Sequence, residues 1–123
     1  MSRKQRSLIA QLRTGILPLR IESGRFNNIK DPITGKLRKL RADERLCQFC
    51  NSGNIEDEIH FICTCSVYND IREKMFMECS EKVPEFRQFS TKEKFIHIMT
   101  KDIKILSHHI LDMWNTRNKL MYK

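Results

Sequence analysis

This chain of 123 residues has no long apolar run, no internal repeat and no low-complexity tract. It opens on the polar and basic string MSRKQR, without the apolar segment of a secretory signal. A membrane-spanning helix needs roughly 20 consecutive apolar residues, and no such stretch occurs. We therefore expect no membrane contact and an intracellular location, in the nucleus or the cytoplasm, where cysteines stay reduced.

Proline and glycine are scarce, with three and four residues, and they lie mainly in the first half. The second half should therefore be the more regular part of the fold. A chain of this length with 40% apolar residues can bury one core, which predicts a single domain spanning 1–123.

Apolar residues recur at helical spacing along most of the chain. Ser2 can cap a first helix that ends near Gly15, and a short second helix fits between Pro18 and Gly24. The stretch from Phe26 to Leu46 contains the turn signal DPITG and suits a β-hairpin or an ordered loop equally well.

The helical pattern is stronger after residue 50. Ile55, Ile59 and Ile62 form an apolar stripe, with Glu56 to Glu58 expected in the first turn of that helix. Further helices are predicted from about residue 66, from residue 90 or 91, and from about 102 to 122. The predicted fold is a small, mainly α domain with a possible short β-hairpin and strands confined to residues 26–49.

Four residues have the spacing of metal ligands, in a Cys-x2-Cys-x9-His-x4-Cys array: Cys47, Cys50, His60 and Cys65. Thiolates and imidazole are the ligands of structural zinc, which takes four protein ligands in a tetrahedron. The odd total of five cysteines fits three ligands and two spare thiols better than complete disulfide pairing. The pattern predicts a zinc knuckle over residues 47–65, a basic part over 1–46 before it and C-terminal helices over 66–123.

The fourth ligand is ambiguous from spacing alone. Cys63 lies three residues after His60, on the same face of an uninterrupted helix, whereas Cys65 would point away from that face. If the helix ended just after His60, Cys65 could reach the metal instead. Helical geometry leaves both cysteines open.

Two blocks of sequence resemble the C-terminal end of reverse transcriptases from non-LTR (LINE-type) retrotransposons. The first is ERLCQFCNSGNIEDEIHFICTCSVYNDIRE, from Glu44 to Glu73, and it is similar to their zinc-binding segment. It has the Cys-x2-Cys pair, an acidic run before the histidine, and His-x4-Cys leading to Tyr68 and Arg72. The second is LRTGILPLRIESGRF, from Leu12 to Phe26, which is similar to the stretch that precedes the knuckle. The two blocks together contain 45 of the 123 residues.

The resemblance implies Cys65 as the fourth ligand, Zn²⁺ as the cofactor and RNA or DNA as the partner, possibly beside a polymerase supplied in trans. The chain contains nothing similar to the catalytic palm of a polymerase or to an endonuclease. Its paired carboxylates are not accompanied by a nucleophile or general base in a recognisable arrangement. We expect no enzymatic activity and no small-molecule substrate.

The positive charge is concentrated before the knuckle. Residues 1–46 contain 12 Lys or Arg and 4 acids, whereas residues 47–123 contain 11 of each. Basic clusters of this kind favour phosphate contact, which makes affinity depend on salt. The candidate nucleic-acid contacts are Arg3, Lys4, Arg6, Lys36, Arg38, Lys39, Arg41 and Arg45.

An alternative function is protein binding by a zinc-stapled helical domain. The C-terminal helices carry Trp114 and several methionines, which either pack in the core or form a binding stripe. Burial of that stripe within the monomer would favour the nucleic-acid hypothesis.

Overall fold

The computed structural model describes residues 1–24 and 28–122, without the side chain of Asn28. Phe26, where the predicted hairpin region begins, lies outside the described residues. The α-helices of the described part are α1 Arg3–Thr14, α2 Arg20–Ser23, α3 Asn69–Lys82, α4 Thr91–Thr100 and α5 Ile103–Met121. Short 3-10 helices cover Ala42–Glu44, Ser66–Tyr68 and Pro84–Gln88, and a π-helix covers His60–Thr64. The prediction of a mainly α fold is confirmed.

Local signals set the ends of α1. The Ser2 side chain accepts a hydrogen bond from the Gln5 backbone amide, and the Gln5 side chain accepts one from the Ser2 amide in return. Gly15 ends the helix with φ +73°, a left-handed conformation that glycine adopts without a steric penalty. The N-terminal cap and the C-terminal glycine agree with the sequence prediction.

Of the two structures predicted for the region before the knuckle, a β-hairpin or an ordered loop, the β-hairpin is the one observed. Strand β1 (Asn28–Lys30) pairs antiparallel with β2 (Leu37–Lys39), and Lys30 lies opposite Leu37. The Asp31 carboxylate accepts hydrogen bonds from the backbone amides of Ile33 and Thr34, which shapes the turn. Named strands therefore occur only within the predicted 26–49 region of the described chain.

The core is one cluster of buried apolar side chains to which α1, the knuckle, α3 and α5 all contribute. Helix α5 packs against α1, α3 and α4. Met113 and Trp114 of its apolar stripe are buried, whereas Met121 at its end is 46% exposed. The Trp114 ring meets the Phe61 ring edge to face, with 6.1 Å between the ring centroids. None of the described helices combines the length and apolar character that a membrane span needs.

The segment before His60 differs from the predicted helix. Ile55 forms an isolated antiparallel bridge with Leu46, and helical structure begins only at Glu58. The Asp57 carboxylate accepts a hydrogen bond from the His60 amide and so caps the helix. Glu56 is buried outside the helix, so its predicted place in the first turn was wrong.

Candidate metal centre

Cys47, Cys50, His60 and Cys65 form the one cluster among the described residues that could hold a metal ion. Their ligand atoms all lie within 4.8 Å of one another. The Cys47 and Cys65 sulfurs are 3.9 Å apart, and the Cys50 sulfur is 3.4 Å from His60 Nε2. The sulfurs are too far apart for a disulfide, and all five cysteines are free thiols. Three sulfurs and one imidazole converging on a single point can bind a metal ion.

Backbone hydrogen bonds hold the first two cysteines in a closed loop. The Cys47 amide donates to the Asn54 carbonyl at 2.8 Å, next to the bridge between Leu46 and Ile55. The Cys47 sulfur accepts from the backbone amides of Phe49 and Cys50. These bonds favour a thiolate at Cys47, although burial is the larger effect and raises its pKa.

The Cys50 sulfur has a partner outside the ligand set. The Ser52 hydroxyl lies 3.1 Å from it. Burial tends to raise the Cys50 pKa, but the hydrogen bonds from the Ser52 side chain and backbone, together with those from the Cys47 and Cys65 side chains, outweigh burial and lower the pKa overall. Ser52 was not predicted from the sequence, although a hydroxyl two residues after a candidate ligand cysteine is a recognisable signal.

A π-helix brings Cys65 to the site. On an α-helix, five residues advance about 500°, which would leave Cys65 roughly 140° away from His60. In the structure, the Cys65 amide donates to the His60 carbonyl at 2.8 Å, the i to i+5 bond of a wider π turn. The wider turn places Cys65 beside His60. The helix thus continues past His60 as a π-helix instead of ending there.

His60 is fixed by a hydrogen bond behind its ligating nitrogen. Its Nδ1 lies 2.9 Å from the Thr64 hydroxyl, which leaves Nε2 facing Cys50 and the metal position. Burial lowers the His60 pKa, so the imidazole is neutral at pH 7 and able to coordinate. Thr64 was not predicted from the sequence, although it lies four residues after His60 and residues four apart share one face of a helix.

Cys63 belongs to the core rather than to the cluster. It is buried with the apolar side chains, and burial raises its pKa to about 11. It contributes no ligand atom to the described group of four. Cys79 is likewise a core residue, and burial raises the pKa of its thiol to about 12.

Arg72 stabilises the end of the π-helix. Its guanidinium is buried and donates to the carbonyls of Ile62 at 2.9 Å and Phe61 at 3.3 Å. These carbonyls lie in the last turn of a helix, where backbone acceptors lack intrahelical donors. An arginine from α3 therefore supports the turn that positions Cys65.

A buried ion pair connects the knuckle to the last helix. Glu56 accepts two hydrogen bonds from Arg117 on α5, at 2.6 and 2.9 Å, and both side chains are almost fully buried. Glu56 also accepts from the Arg20 backbone amide. The Arg117 guanidinium lies over the rings of Phe49 and Trp114, at 5.2 and 5.3 Å from their centroids. Phe49 sits between the two cysteines of the first pair, so Arg117 contacts the knuckle loop as well.

The cleft beside His60 is not basic. It has a volume of about 540 Å³ and is lined by the apolar side chains of Leu46, Ile55 and Ile59 together with the acids Asp43 and Asp57. Carboxylates repel phosphate, so this cleft is a poor place for a nucleic-acid backbone.

The predicted basic residues fall into two groups. Arg38 is engaged within the protein, because its guanidinium binds both Glu44 oxygens at 2.6 and 2.8 Å. Arg45 is also engaged, since it donates to the carbonyls of Ile21 and Leu40. Arg41 lies near Asp43 and Glu44 but stays largely exposed. The exposed residues of the predicted set also include Arg3, Lys4, Arg6, Lys36 and Lys39. The hairpin adds the exposed Lys30, which strand alternation could have identified.

No family model, curated protein or solved structure matches this chain. The resemblance to retrotransposon reverse transcriptases stays a prediction.

The protonation of the ligands predicts a steep pH dependence of metal binding. Burial raises the pKa of the Cys65 thiol to about 12 and also raises that of Cys47, so both hold protons at pH 7 before binding. Thiolates are the ligands, so binding must release these protons, and affinity should fall as pH decreases. We expect the Zn²⁺ association constant to drop about 100-fold or more per pH unit between pH 8 and 7. Competition with a chelator at each pH measures it. A change below about tenfold per unit would contradict binding by more than one protonated thiol.

Proposed function

We propose that this chain is a non-catalytic zinc-binding module that binds RNA or DNA through phosphate contacts. The acid-poor, lysine-rich surface of the β-hairpin carries the proposal. The resemblance to the C-terminal segment of retrotransposon reverse transcriptases supports it, and it implies that a polymerase in trans is a possible partner.

The geometry of the cluster supports zinc. A tetrahedral ion with Zn–S bonds of about 2.3 Å separates its sulfurs by about 3.8 Å. The distance between the Cys47 and Cys65 sulfurs is 3.9 Å, close to that value. Four protein ligands would complete the tetrahedron and leave no position for water or substrate, as in structural zinc sites. A site of three thiolates and one imidazole is therefore suited to holding the fold and not to hydrolysis.

The hairpin presents positive charge that no described acid neutralises. Lys30, Lys36 and Lys39 are exposed. The nearby carboxylates of Asp31 and Glu44 are both paired with Arg38 instead. The hydrogen-bonded Arg38 guanidinium holds the Glu44 pKa at about 2, so this acid stays ionised and paired under physiological conditions. The three lysines therefore remain available to contact the phosphates of a nucleic acid.

The first helix adds a second basic surface. Arg3, Lys4 and Arg6 are exposed in the first turns of α1, and that first turn contains no acidic residue. Positive charge is unfavourable at a helix N-terminus, because the helix dipole is positive there. A phosphate would be attracted by both the side chains and the dipole, which gives this placement a functional reason.

Burial of Met113 and Trp114 weighs against the protein-binding alternative. Met113 is fully buried and Trp114 is 8% exposed, so both are used inside the monomer. A binding stripe would need these side chains at the surface.

The test is replacement of Lys30, Lys36 and Lys39 by glutamine. Loss of three phosphate contacts should weaken binding to RNA or DNA of any sequence, by about 10- to 100-fold at low salt. The slope of log affinity against log salt should become shallower by up to about 2.7 for duplex DNA. Zinc content should not change. Filter binding or fluorescence anisotropy over a salt series measures both quantities.

A matched control separates local contact from net charge. Lys74, Lys92 and Lys119 are also exposed, and their replacement by glutamine removes the same charge from the C-terminal half. We expect this triple variant to retain affinity within about threefold. Equal losses in both triple variants would assign the effect to net charge. A wild-type protein without salt-sensitive affinity for nucleic acid would overturn the proposed function.

A further inference from the structure

We propose that the tip of the β-hairpin is a wedge that enters the minor groove of a DNA duplex, with Ile33 inserted between base pairs. This inference rests on the proposed function and deepens it, since it names double-stranded DNA as the ligand. Lys30, Lys36 and Lys39 would contact phosphates that border the groove.

The tip is unusually apolar for an exposed turn. Ile33 is 92% exposed, the highest value among the large apolar side chains of the described residues, and Leu37 is 73% exposed. Pro32 beside it is exposed too. Leaving an isoleucine in water forgoes about 1.5–3 kcal/mol of burial free energy. Isoleucine and proline are among the side chains that minor-groove proteins insert between base steps.

The turn is held in one conformation. The Asp31 carbonyl accepts from the Gly35 amide at 2.8 Å, and the Asp31 amide donates to the Lys36 carbonyl at 2.8 Å. Gly35 has φ +72°, which the turn requires and a glycine allows. Together with the Asp31 side-chain bonds to Ile33 and Thr34, these contacts fix the tip before binding. A preformed wedge loses little conformational entropy on insertion.

The two faces of the hairpin differ in a way that orients the wedge. Ile29 and Arg38 are directly paired and half-buried, and Arg38 binds Glu44, so this face lies against the protein. Lys30 and Leu37 are directly paired on the opposite face, and both are exposed. Lys39 follows on the same face, because strand residues two apart share a side. The outer face therefore combines aliphatic side chains with lysines, which complements a groove edged by phosphates.

The composition of the hairpin favours binding to a duplex over binding to single-stranded nucleic acid or to an anionic membrane surface. Residues 28–40 contain no aromatic side chain, so the hairpin offers no platform on which single-stranded bases could stack. Membrane-surface binding usually adds tryptophan or a longer apolar face, and two aliphatic side chains give little insertion energy. A narrow turn with an aliphatic tip and flanking lysines fits a groove of about 6 Å width.

The experiment compares the Ile33→Ser variant with wild-type protein, each bound to a DNA duplex of 20 base pairs. A 2-aminopurine at the centre reports unstacking, and a pair of end-attached fluorophores reports bending by energy transfer. Wild type should increase the 2-aminopurine fluorescence at least about twofold and bend the duplex by about 20–90°. Ile33→Ser should keep its affinity within about tenfold, since its lysines remain, while losing most of both signals. Ile96→Ser, the same change at an exposed isoleucine on α4, should behave as wild type.

Each contrary outcome has a distinct meaning. Salt-sensitive binding by wild type without unstacking or bending would overturn the wedge and leave the proposed function intact. If wild type bound a single strand of the same length more tightly than the duplex, this result would also overturn the wedge and leave the proposed function intact. Absence of any binding would overturn both proposals. Binding to vesicles containing phosphatidylserine that Ile33→Ser abolishes, without duplex unstacking by wild type, would assign the tip to an anionic membrane surface instead.

Discussion

Replacement of Cys65 by alanine is expected to abolish stoichiometric zinc binding, whereas the same replacement of Cys63 should leave one zinc per chain. Cys65 contributes a sulfur to the cluster, and Cys63 does not. Loss of a residue that hydrogen-bonds to a metal ligand already costs about 10- to 100-fold in metal affinity, so loss of a ligand itself should exceed about 100-fold. Apparent zinc binding contributes about 10–16 kcal/mol in small zinc domains, and Cys65→Ala should therefore unfold the knuckle.

The two alanine variants are closely matched. Both cysteines are buried and lie two residues apart, so each change removes one buried sulfur. Metal analysis after dialysis gives the stoichiometry, and circular dichroism at rising chelator concentration gives the stability of the knuckle. Zinc retained in Cys65→Ala and lost in Cys63→Ala would overturn the assignment.

Glu56→Gln is expected to destabilise the zinc-loaded protein by about 3–5 kcal/mol. The change leaves the Arg117 guanidinium buried without its counter-charge, and it weakens the acceptor of the Arg20 amide. For a chain of this size, the loss corresponds to a decrease in melting temperature of roughly 10–20 °C. Urea unfolding in excess zinc measures the free energy directly.

An exposed pair of the same chemistry provides the control. Arg87 also binds a glutamate, Glu73, through two nitrogens, but both side chains are largely exposed. Glu73→Gln should change stability by less than about 1 kcal/mol, because water screens that pair. Combining Glu56→Leu with Arg117→Met should recover most of the loss, since it removes both buried charges. Equal effects at the buried and exposed pairs would contradict the role assigned to burial.

The features that could be predicted from sequence are those with local causes. The bonds between Ser2 and Gln5 and the left-handed Gly15 depend on residues within one helix, so the limits of α1 follow from its own sequence. The Cys-x2-Cys pair is similarly local, because backbone amides inside the loop point at its first sulfur. Such contacts need no knowledge of the rest of the chain.

The fourth ligand could not be chosen from helical periodicity, because the helix is not an α-helix at that point. Periodicity assumes 3.6 residues per turn, and the π turn from His60 to Thr64 is wider. The side chain that supports this turn, Arg72, comes from the following helix. Only the resemblance distinguished Cys65 from Cys63 before the structure was known.

The distribution of charge along the sequence shows which half is basic. It does not show which basic side chains are free to contact a ligand. Arg38 and Arg45 carry the same charge as Lys36, but both are bound within the protein. Arg38 binds the Glu44 carboxylate, and Arg45 donates hydrogen bonds to two backbone carbonyls. The role of Glu56 was hidden for the same reason, since its partner Arg117 is 61 residues further along the chain. Partners at such separations are set by tertiary packing, which a local pattern does not contain.

The bond between Glu56 and Arg117 also determines when the contacts of the knuckle can be completed during synthesis of the chain. Cys47, Cys50, His60 and Cys65 all precede α5 in the chain, so they leave the ribosome before the last helix does. Until Arg117 leaves the ribosome, however, no guanidinium can donate to the Glu56 carboxylate, so this carboxylate must stay hydrated. A chain terminated before residue 117 would keep the four candidate ligands but would lack the guanidinium that Glu56 binds. A knuckle moved to another protein without α5 would lack the same bond, because one of its supports comes from a residue far along the chain.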